Sequence, residues 1–263
     1  MLRFGISLTA VICLMLLIRS FSAMCEYSGD KNVPIIVYNG IGEQDSQVSL
    51  KQIENDIQYL IYKGYTAVFA SDVAKELSGD SELPQKPIVL SFDGDHSSYY
   101  SELFPLLKKY RFKAVVTVNG KLTEYASNSA DDNVDHLRWE QIKEMDSSGL
   151  VEFSNGTYSL WENGDFSQVN RESYEEYRSR IVSDIGQLQI LFQQNCGFEP
   201  IVFTYPDGTF SDNSKRLVKN LGFTAAISTD SKKHSFDPKT KADPYRLKRY
   251  ERAGFENISN LIE

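Results

Sequence analysis

The sequence is poor in the residue types that bind transition metals. Only three cysteines and three histidines occur among 263 residues. No cysteines stand at the short spacing of a zinc site, and so few of them exclude a disulfide-rich scaffold. Cys13 lies in an N-terminal apolar run that we expect to be removed. Cys25 and Cys196 then remain, either as one disulfide of an exported chain or as two thiols.

A basic stripe is also absent. The formal net charge is −8, so nucleic acid is not an expected partner. A negative chain favours a neutral or cationic ligand over a phosphate-rich one. Aromatic residues make up 12% of the chain, and they either stack on sugar rings or fill a core. The 41% hydrophobic and 24% charged residues are typical of a folded domain and exclude extended disorder.

One long apolar run, residues 4–18, stands at the N-terminus. Arg3 precedes it, and Ser22 and Ala23 follow it, which is the order of a secretory signal. The run is shorter than the ~20 residues of a membrane span, although Arg19 leaves an uncleaved anchor open. We therefore expect a signal or anchor over residues 1–24 and an extracytoplasmic domain, secreted or in the cell envelope, over residues 25–263. Membrane contact is expected only if the first segment stays uncleaved.

The rest of the chain alternates between short apolar runs and helical patterns. Ser49 and Gln52 have the spacing of a capping box, and Gly64, Gly149 and Gly222 each end a helix just before a strand. This alternation predicts a parallel sheet with helical connections, whose functional residues follow the carboxyl ends of strands. Strands are predicted at 33–37, 65–69, 88–92, 113–118, 150–153, 201–205, 223–227 and 245–249, with polar loops at 77–86, 119–136, 161–170 and 229–243.

Five segments at the strand ends carry recognisable motifs. They read Val-Pro-Ile-Ile-Val-Tyr-Asn (33–39), Ser-Phe-Asp-Gly-Asp-His (91–96), Ser-Asn-Gly-Thr-Tyr-Ser-Leu-Trp (154–161), Thr-Tyr-Pro-Asp-Gly (204–208) and Leu-Lys-Arg (247–249). In order and separation they resemble the motifs of the polysaccharide deacetylase (NodB-homology) family over about residues 33–250. The resemblance implies a distorted (β/α) barrel of seven strands.

The departures from that family fall on its metal ligands. Asp93 matches the catalytic base of the family's Asp-Asp-Gly motif, but Gly94 stands where the second Asp binds metal. Gly156 stands at the first ligand histidine, and Leu160 or Trp161 at the second. None of these side chains binds zinc. The resemblance therefore implies that this chain lacks the zinc or similar divalent ion that activates water in the family.

Loss of the metal would remove most of the catalytic power. A bound metal lowers the pKa of water from 15.7 to about 7, and without it water attacks an amide poorly. Asp93 then has two readings, as a residual base or as an acceptor of backbone N–H groups. A relocated metal site built from Asp95 and His96, with Asp93 and Asp207, is a further alternative, although one substitution does not rebuild a two-histidine geometry.

The same strand ends supply candidate sugar-binding residues. Aromatic rings and polar groups around a groove bind sugars by stacking and hydrogen bonding. Asp207 replaces an aromatic residue of the family motif, and core packing is the alternative for Tyr205. The predicted substrate-binding residues are Tyr158, Trp161, Tyr205, Pro206, Asp207 and Gly208.

Three functional hypotheses follow. The first is a non-hydrolysing protein of carbohydrate metabolism that binds an N-acetylated polysaccharide or peptidoglycan in the groove. The second is a metal-dependent N-deacetylase with an altered site, and the third is a structural surface protein. A glycosidase that uses Asp93 and Asp207 as its two carboxylates is a weaker reading, because nothing in the sequence fixes their separation.

Overall fold

The computed structural model describes residues 33–42, 47–163, 166–229 and 243–262, and Asn32–Glu263 forms one compact unit. The expected signal segment (1–24), Cys25 and His234 lie outside the described residues. Within the described part, no helix combines the length and apolar character needed to cross a membrane.

Eight strands, all paired in parallel, form the sheet. Seven of them close into a ring in the order β1-β8-β7-β6-β5-β4-β3, and the pairing of β1 with β3 completes it. The strands are β1 (Ile35–Tyr38), β2 (Thr66–Ala67), β3 (Pro87–Phe92), β4 (Ala114–Val118), β5 (Val151–Asn155), β6 (Val202–Thr204), β7 (Ala225–Thr229) and β8 (Leu247–Glu251).

The distortion of the barrel lies at β2 and β3. The first residues of β3, Pro87 and Ile88, pair with β2, whereas Val89–Phe92 pair with β1. Strand β2 therefore adds to the edge of β3 without entering the ring. The expected distorted (β/α) barrel of seven strands is confirmed for the described residues.

Helices cover the outside of the barrel. They are α1 (Leu50–Tyr62), α2 (Ala70–Ser78), α3 (Phe104–Tyr110, preceded by a π-helical turn at Tyr99–Leu103), α4 (Gly120–Asn128), α5 (Trp139–Ser147), α6 (Leu160–Asn163), α7 (Tyr174–Cys196), α8 (Asp212–Asn220) and α9 (Ser259–Ile262). The predicted capping box at Ser49 and Gln52 is confirmed, since each side chain bonds the other residue's backbone N–H. Gly64, Gly149 and Gly222 all have positive φ and follow helices, as predicted.

Four helices differ from the sequence prediction, namely α2, α4, α6 and α9. The expected loop at 119–136 contains α4, and α2 was not anticipated. The buried face of α4 consists of Gly120, Thr123 and Ala126, which are too small or too polar to produce an apolar period. Close packing of small residues therefore replaces the usual hydrophobic stripe.

The interior of the barrel is polar in its upper part and mainly apolar in its lower part, where Glu152 on β5 is the register partner of Val115 on β4. Side chains alternate along each strand, so Val115 and Thr117 of β4 point inward one above the other. The lower interior is a cluster that includes Ile35, Val89 and Val115, and α2 adds Ala70 and Val73 to it. The polar upper interior opens at the carboxyl ends of the strands, where the sequence motifs lie.

Candidate functional site

A cleft of about 450 Å³ opens at the carboxyl ends of the strands, and we call it the barrel-top cleft. Its lining consists of Val37, Asn39, Asp93, Gly94, His96, Trp161, Asp207, Thr229, Arg249 and Glu251. A larger cleft of about 710 Å³ lies near the opposite ends of β3, β4 and β5, between Leu83, Tyr110 and Leu150. Parallel barrels carry their sites at the carboxyl ends, and the motif residues line only the smaller cleft, so the smaller cleft is the candidate site.

An ion pair forms the floor of the barrel-top cleft. The Arg249 guanidinium donates to Oδ1 of Asp93 at 2.5 Å and to Oγ1 of Thr229 at 3.0 Å. The Asp93 side chain is 12% exposed and that of Arg249 is 3% exposed, so both charges are largely removed from water. Each charge therefore depends on the other for its stabilisation.

Three hydroxyl groups support this floor from below. Thr117, Ser154 and Thr204 lie on adjacent strands, and their side-chain oxygens are 2.8–3.1 Å apart. Thr117 also lies within hydrogen-bonding distance, 3.2 Å, of Asp93 Oδ1. The parallel register pairs Thr117 with Ser154 and Ser154 with Val202, and Thr204 follows Val202 by two residues, so all three side chains turn inward. The carboxylate of Asp93 is thus held by a buried polar network.

His96 fills the space beside Gly94. A β-carbon on Gly94 would lie 3.1 Å from Nε2 of His96, so the imidazole occupies the volume that a side chain at position 94 would enter. The ring packs edge-on against Tyr99, with centroids 5.5 Å apart, and its Nδ1 lies 3.5 Å from Oδ2 of Asp135. The imidazole of His96 therefore lines the barrel-top cleft where a side chain at position 94 would otherwise lie.

Asp95 points away from the cleft. Its side chain is buried, with Oδ2 accepting from Thr123 at 2.8 Å and Oδ1 lying 3.2 Å from Nδ1 of His136. Asp95 and His96 thus project toward different partners, and the structure does not bring them together as a relocated metal site. The physical reason is the inward turn of Asp95 toward α4, where Thr123 satisfies it.

Of the predicted aromatic residues, only Trp161 reaches the cleft. Its backbone N–H is held at 3.0 Å by the Thr157 hydroxyl. Tyr158 instead sends its hydroxyl to Glu124 at 2.7 Å, and this hydrogen bond raises the pKa of Tyr158. Tyr205 is fully buried between Phe203 and Phe210, and burial raises its pKa. For Tyr205 the core-packing alternative is the one that the structure shows.

The Tyr-Pro-Asp-Gly turn places one carboxylate at the mouth of the cleft. Pro206 and Gly208 are buried, and a β-carbon on Gly208 would collide with Thr229 at 2.2 Å. Asp207 has φ 51°, ψ 15° and is exposed on the cleft wall. Pro206 and Gly208 therefore shape the turn, and Asp207 alone presents its side chain to the cleft.

The sequence profile described as Polysaccharide deacetylase matches residues 80–226, more than half of the chain. The chain belongs to the polysaccharide deacetylase family.

Relatives support this assignment. The Bacillus subtilis (strain 168) protein YxkH is 24% identical over 210 residues, which are 80% of this chain and 68% of YxkH. The poly-β-1,6-N-acetyl-D-glucosamine N-deacetylase of Escherichia coli (strain K12) is 26% identical over 208 residues, 70% of this chain but only 31% of that enzyme. A solved de-N-acetylase from Aggregatibacter actinomycetemcomitans superposes with TM-score 0.72 at 22% identity, over 87% of this chain and 99% of that one. This last likeness shows the shared barrel fold.

The metal of polysaccharide deacetylases does not fit the residues present. A β-carbon on Gly156 would lie 2.6 Å from Cγ2 of Thr117 and 2.8 Å from the carbonyl oxygen of Val118, so the space for a longer side chain is filled. Leu160 is buried in the core. Across the described ranges, no cluster of three or more His, Cys, Asp and Glu could hold a metal ion. The three ligand positions that the resemblance implies are Gly94, Gly156, and Leu160 or Trp161, and none of them carries a side chain that binds zinc.

Sequence reasoning did not select four of the cleft's polar residues, although two of them, Asn39 and Arg249, stand in motifs. Glu251 and Thr229 both line the cleft, yet neither belongs to a motif. Glu251 follows Arg249 by two residues on β8, so inward alternation from the Leu-Lys-Arg motif is the signal that would have found it. Asn39, in place of the opening motif's histidine, donates to Glu251 at 2.9 Å.

Proposed function

We propose that the chain binds an N-acetylated polysaccharide in the barrel-top cleft without hydrolysing it. The observation that carries this proposal is an open, polar cleft in which two of the three ligand positions implied by the resemblance are glycines, with the space beside them filled by His96 at one and Thr117 at the other. The name of the Escherichia coli relative, a deacetylase of poly-β-1,6-N-acetyl-D-glucosamine, supports the ligand class.

The side chains in the barrel-top cleft argue against hydrolysis of an amide bond. Attack on an amide needs an activated water and a group that stabilises the oxyanion. Asp93 is the remaining base candidate, and its Oδ1 is engaged by Arg249 and lies beside the Thr117 hydroxyl. The family's metal supplies the activation of water, and the residues present do not fit it.

The side chains that line the barrel-top cleft are suited to weak sugar binding. Trp161 offers a partly exposed ring, while Asn39, Asp207 and Glu251 offer hydrogen-bonding groups. Stacking of one ring contributes about 0.5–1.5 kcal/mol beyond its buried area. We therefore expect a dissociation constant of ~0.1–1 mM, equivalent to ~4–5.5 kcal/mol.

Tryptophan fluorescence tests binding directly. The chain has two tryptophans, and Trp139 is 5% exposed in the core, so a ligand-induced change would report on Trp161. N-acetylglucosamine oligomers should change the emission of the wild type with saturation near millimolar sugar, and Trp161→Phe should abolish the change. Acetate should not accumulate in the same sample. Release of acetate that requires added metal and is lost in Asp93→Asn would favour the altered deacetylase, and no emission change would favour the structural protein.

Export is a second part of the proposal. It rests on the apolar run at residues 4–18 with its flanking Arg3 and small residues. An exported protein would meet polysaccharide outside the cytoplasm. Detection of the chain with its first residues removed, in the medium or envelope fraction, tests this, and recovery of the intact chain only from the cytoplasm would contradict it.

A further inference from the structure

The barrel-top cleft carries an excess of negative charge. Its ionised side chains are three carboxylates, Asp93, Asp207 and Glu251, and one guanidinium, Arg249. Arg249 contacts Asp93 and compensates it. Two carboxylates remain, and in the described part of the chain neither has a lysine, arginine or histidine nitrogen within ion-pairing distance. Among the described residues, Glu251 accepts a hydrogen bond from the neutral amide of Asn39 alone.

The other titratable groups at the cleft do not reverse this sign. His96 is the one imidazole in the lining, and its Nδ1 faces the carboxylate of Asp135. When His96 is neutral, Asp135 adds another negative charge to that edge, and when it is protonated the two charges compensate each other. Among the described residues, the uncompensated charge at the cleft mouth is therefore negative in either state.

Within the described residues, no contact explains why position 207 carries a carboxylate. Asp207 sits at positive φ, where Asn and Gly are also tolerated, and it accepts no hydrogen bond from any described residue. Its turn is fixed by the contact of Gly208 with Thr229, so the carboxylate is held at the cleft wall. The Asp207 carboxylate, which has no partner among the described residues, is therefore available to a ligand.

We infer that the cleft prefers an amino-sugar polymer bearing free, protonated amino groups over the fully N-acetylated polymer. This inference rests on the proposed sugar-binding function and names its ligand more closely. An ammonium group in the cleft near Asp207 or Glu251 would supply a positive charge, whereas an acetamide would not. Exposed charge pairs are screened, so we expect a preference of about 10-fold at low salt.

The ligand's chemistry places the protein after a deacetylation. Hydrolysis of an N-acetyl group adds one water across the amide bond and yields acetate and an amine, which takes up a proton near neutral pH. The reaction that supplies this ligand is therefore a polysaccharide N-deacetylation carried out by another protein.

The test compares glucosamine and N-acetylglucosamine oligomers of equal length at about pH 6, where the amines are protonated. Trp161 fluorescence reports both titrations. The glucosamine oligomer should bind about 10-fold more tightly, and the ratio should shrink as salt rises. Asp207→Asn with Glu251→Gln should reduce the ratio to about 1, while Glu175→Gln, an exposed acid on α7 outside the cleft, should leave it unchanged.

Two other results overturn the inference in different ways. Equal or tighter binding of the N-acetylated oligomer, or a preference that survives the double variant, would reject the charge argument and leave the proposed function intact. Absence of binding by both oligomers would reject the proposed function itself. Unchanged thermal unfolding of the double variant confirms its fold, and Asp207→Asn alone, an amide tolerated at this φ, should give a partial loss of the preference.

Discussion

At the scale of single residues, Gly156 shows most clearly how tightly the top of the barrel is packed. Its missing side chain is not an empty space, because the Thr117 methyl and the Val118 carbonyl already occupy it. Both neighbours belong to β4, which is buried along its whole length and cannot withdraw easily. A side chain as long as that of histidine at this position would therefore require a shift of the barrel wall.

A pair of glycine substitutions tests this packing. Gly156→Ala should destabilise the fold by about 1–3 kcal/mol, because its β-carbon would overlap Thr117 and Val118. Gly186→Ala is the matched control, since its β-carbon meets nothing within 4 Å on helix α7. That change should stabilise by about 0.5–1 kcal/mol through helix propensity. Equal effects in chemical denaturation would show that the space beside Gly156 is open.

The Asp93–Arg249 pair gives a second prediction at this scale. Arg249→Met should lower the free energy of unfolding by about 3 kcal/mol, because it leaves Asp93 charged and largely buried without its partner. Adding Asp93→Asn should recover part of that loss, since the orphaned charge is removed. Urea denaturation of the two variants measures this, and a cost below about 1 kcal/mol for Arg249→Met would show that solvent already screens Asp93.

At the scale of elements, sequence patterns predicted what depends on neighbours along the chain. The Ser49–Gln52 capping box and the glycines that end helices were predictable, because the bonds involved span three or four residues. Helix α4 was not, because its buried face is made of small residues that fit only against a particular neighbour. The inward turn of Asp95 was missed for the same reason, since Thr123 on α4 determines it.

The junction between β5 and α2 predicts a pH dependence. Glu152 turns to the same side of the sheet as Ser154 and Val115, and its carboxylate accepts from the Ser71 N–H at the start of α2 at 3.2 Å. Burial raises the pKa of Glu152 from 4.5 to about 7. The folded state thus binds more protons than the unfolded state between these values, so stability falls as pH rises through that window.

Glu152→Gln isolates this contribution. At about pH 8 the variant should be more stable than the wild type by on the order of 1–3 kcal/mol, because it removes a buried charge and keeps an acceptor for Ser71. Near pH 4 the difference should almost vanish, since Glu152 is then protonated in both states. Thermal unfolding across this range measures it. A difference that is constant with pH would show that the pKa of Glu152 is the same in the folded and unfolded states.

At the scale of the whole molecule, the motif order predicted the barrel, its seven strands and the cleft's position. Those features follow from strand–helix alternation and from which residues come after each strand. The sequence could not show which motif side chains face the cleft. Tyr205 and Tyr158 stand in motifs beside Asp207 and Trp161, yet tertiary packing turns the first pair outward into core and helix contacts.

The barrel therefore keeps the family's framework and the ion pair at its floor, while the space beside its metal-ligand positions is filled. Under the proposed function, this cleft would bind a sugar chain without the side chains that hold a Lewis acid.

The metal content of the purified full chain tests most directly whether the barrel-top cleft holds a metal ion. After dialysis against zinc-containing and then metal-free buffer, elemental analysis should find well below one equivalent of zinc, cobalt or nickel per chain, because no tetrahedral donor set is present among the described residues. About one equivalent of tightly held metal, lost on His96→Ala or Asp93→Asn, would contradict the account and establish a rebuilt metal site in the barrel-top cleft.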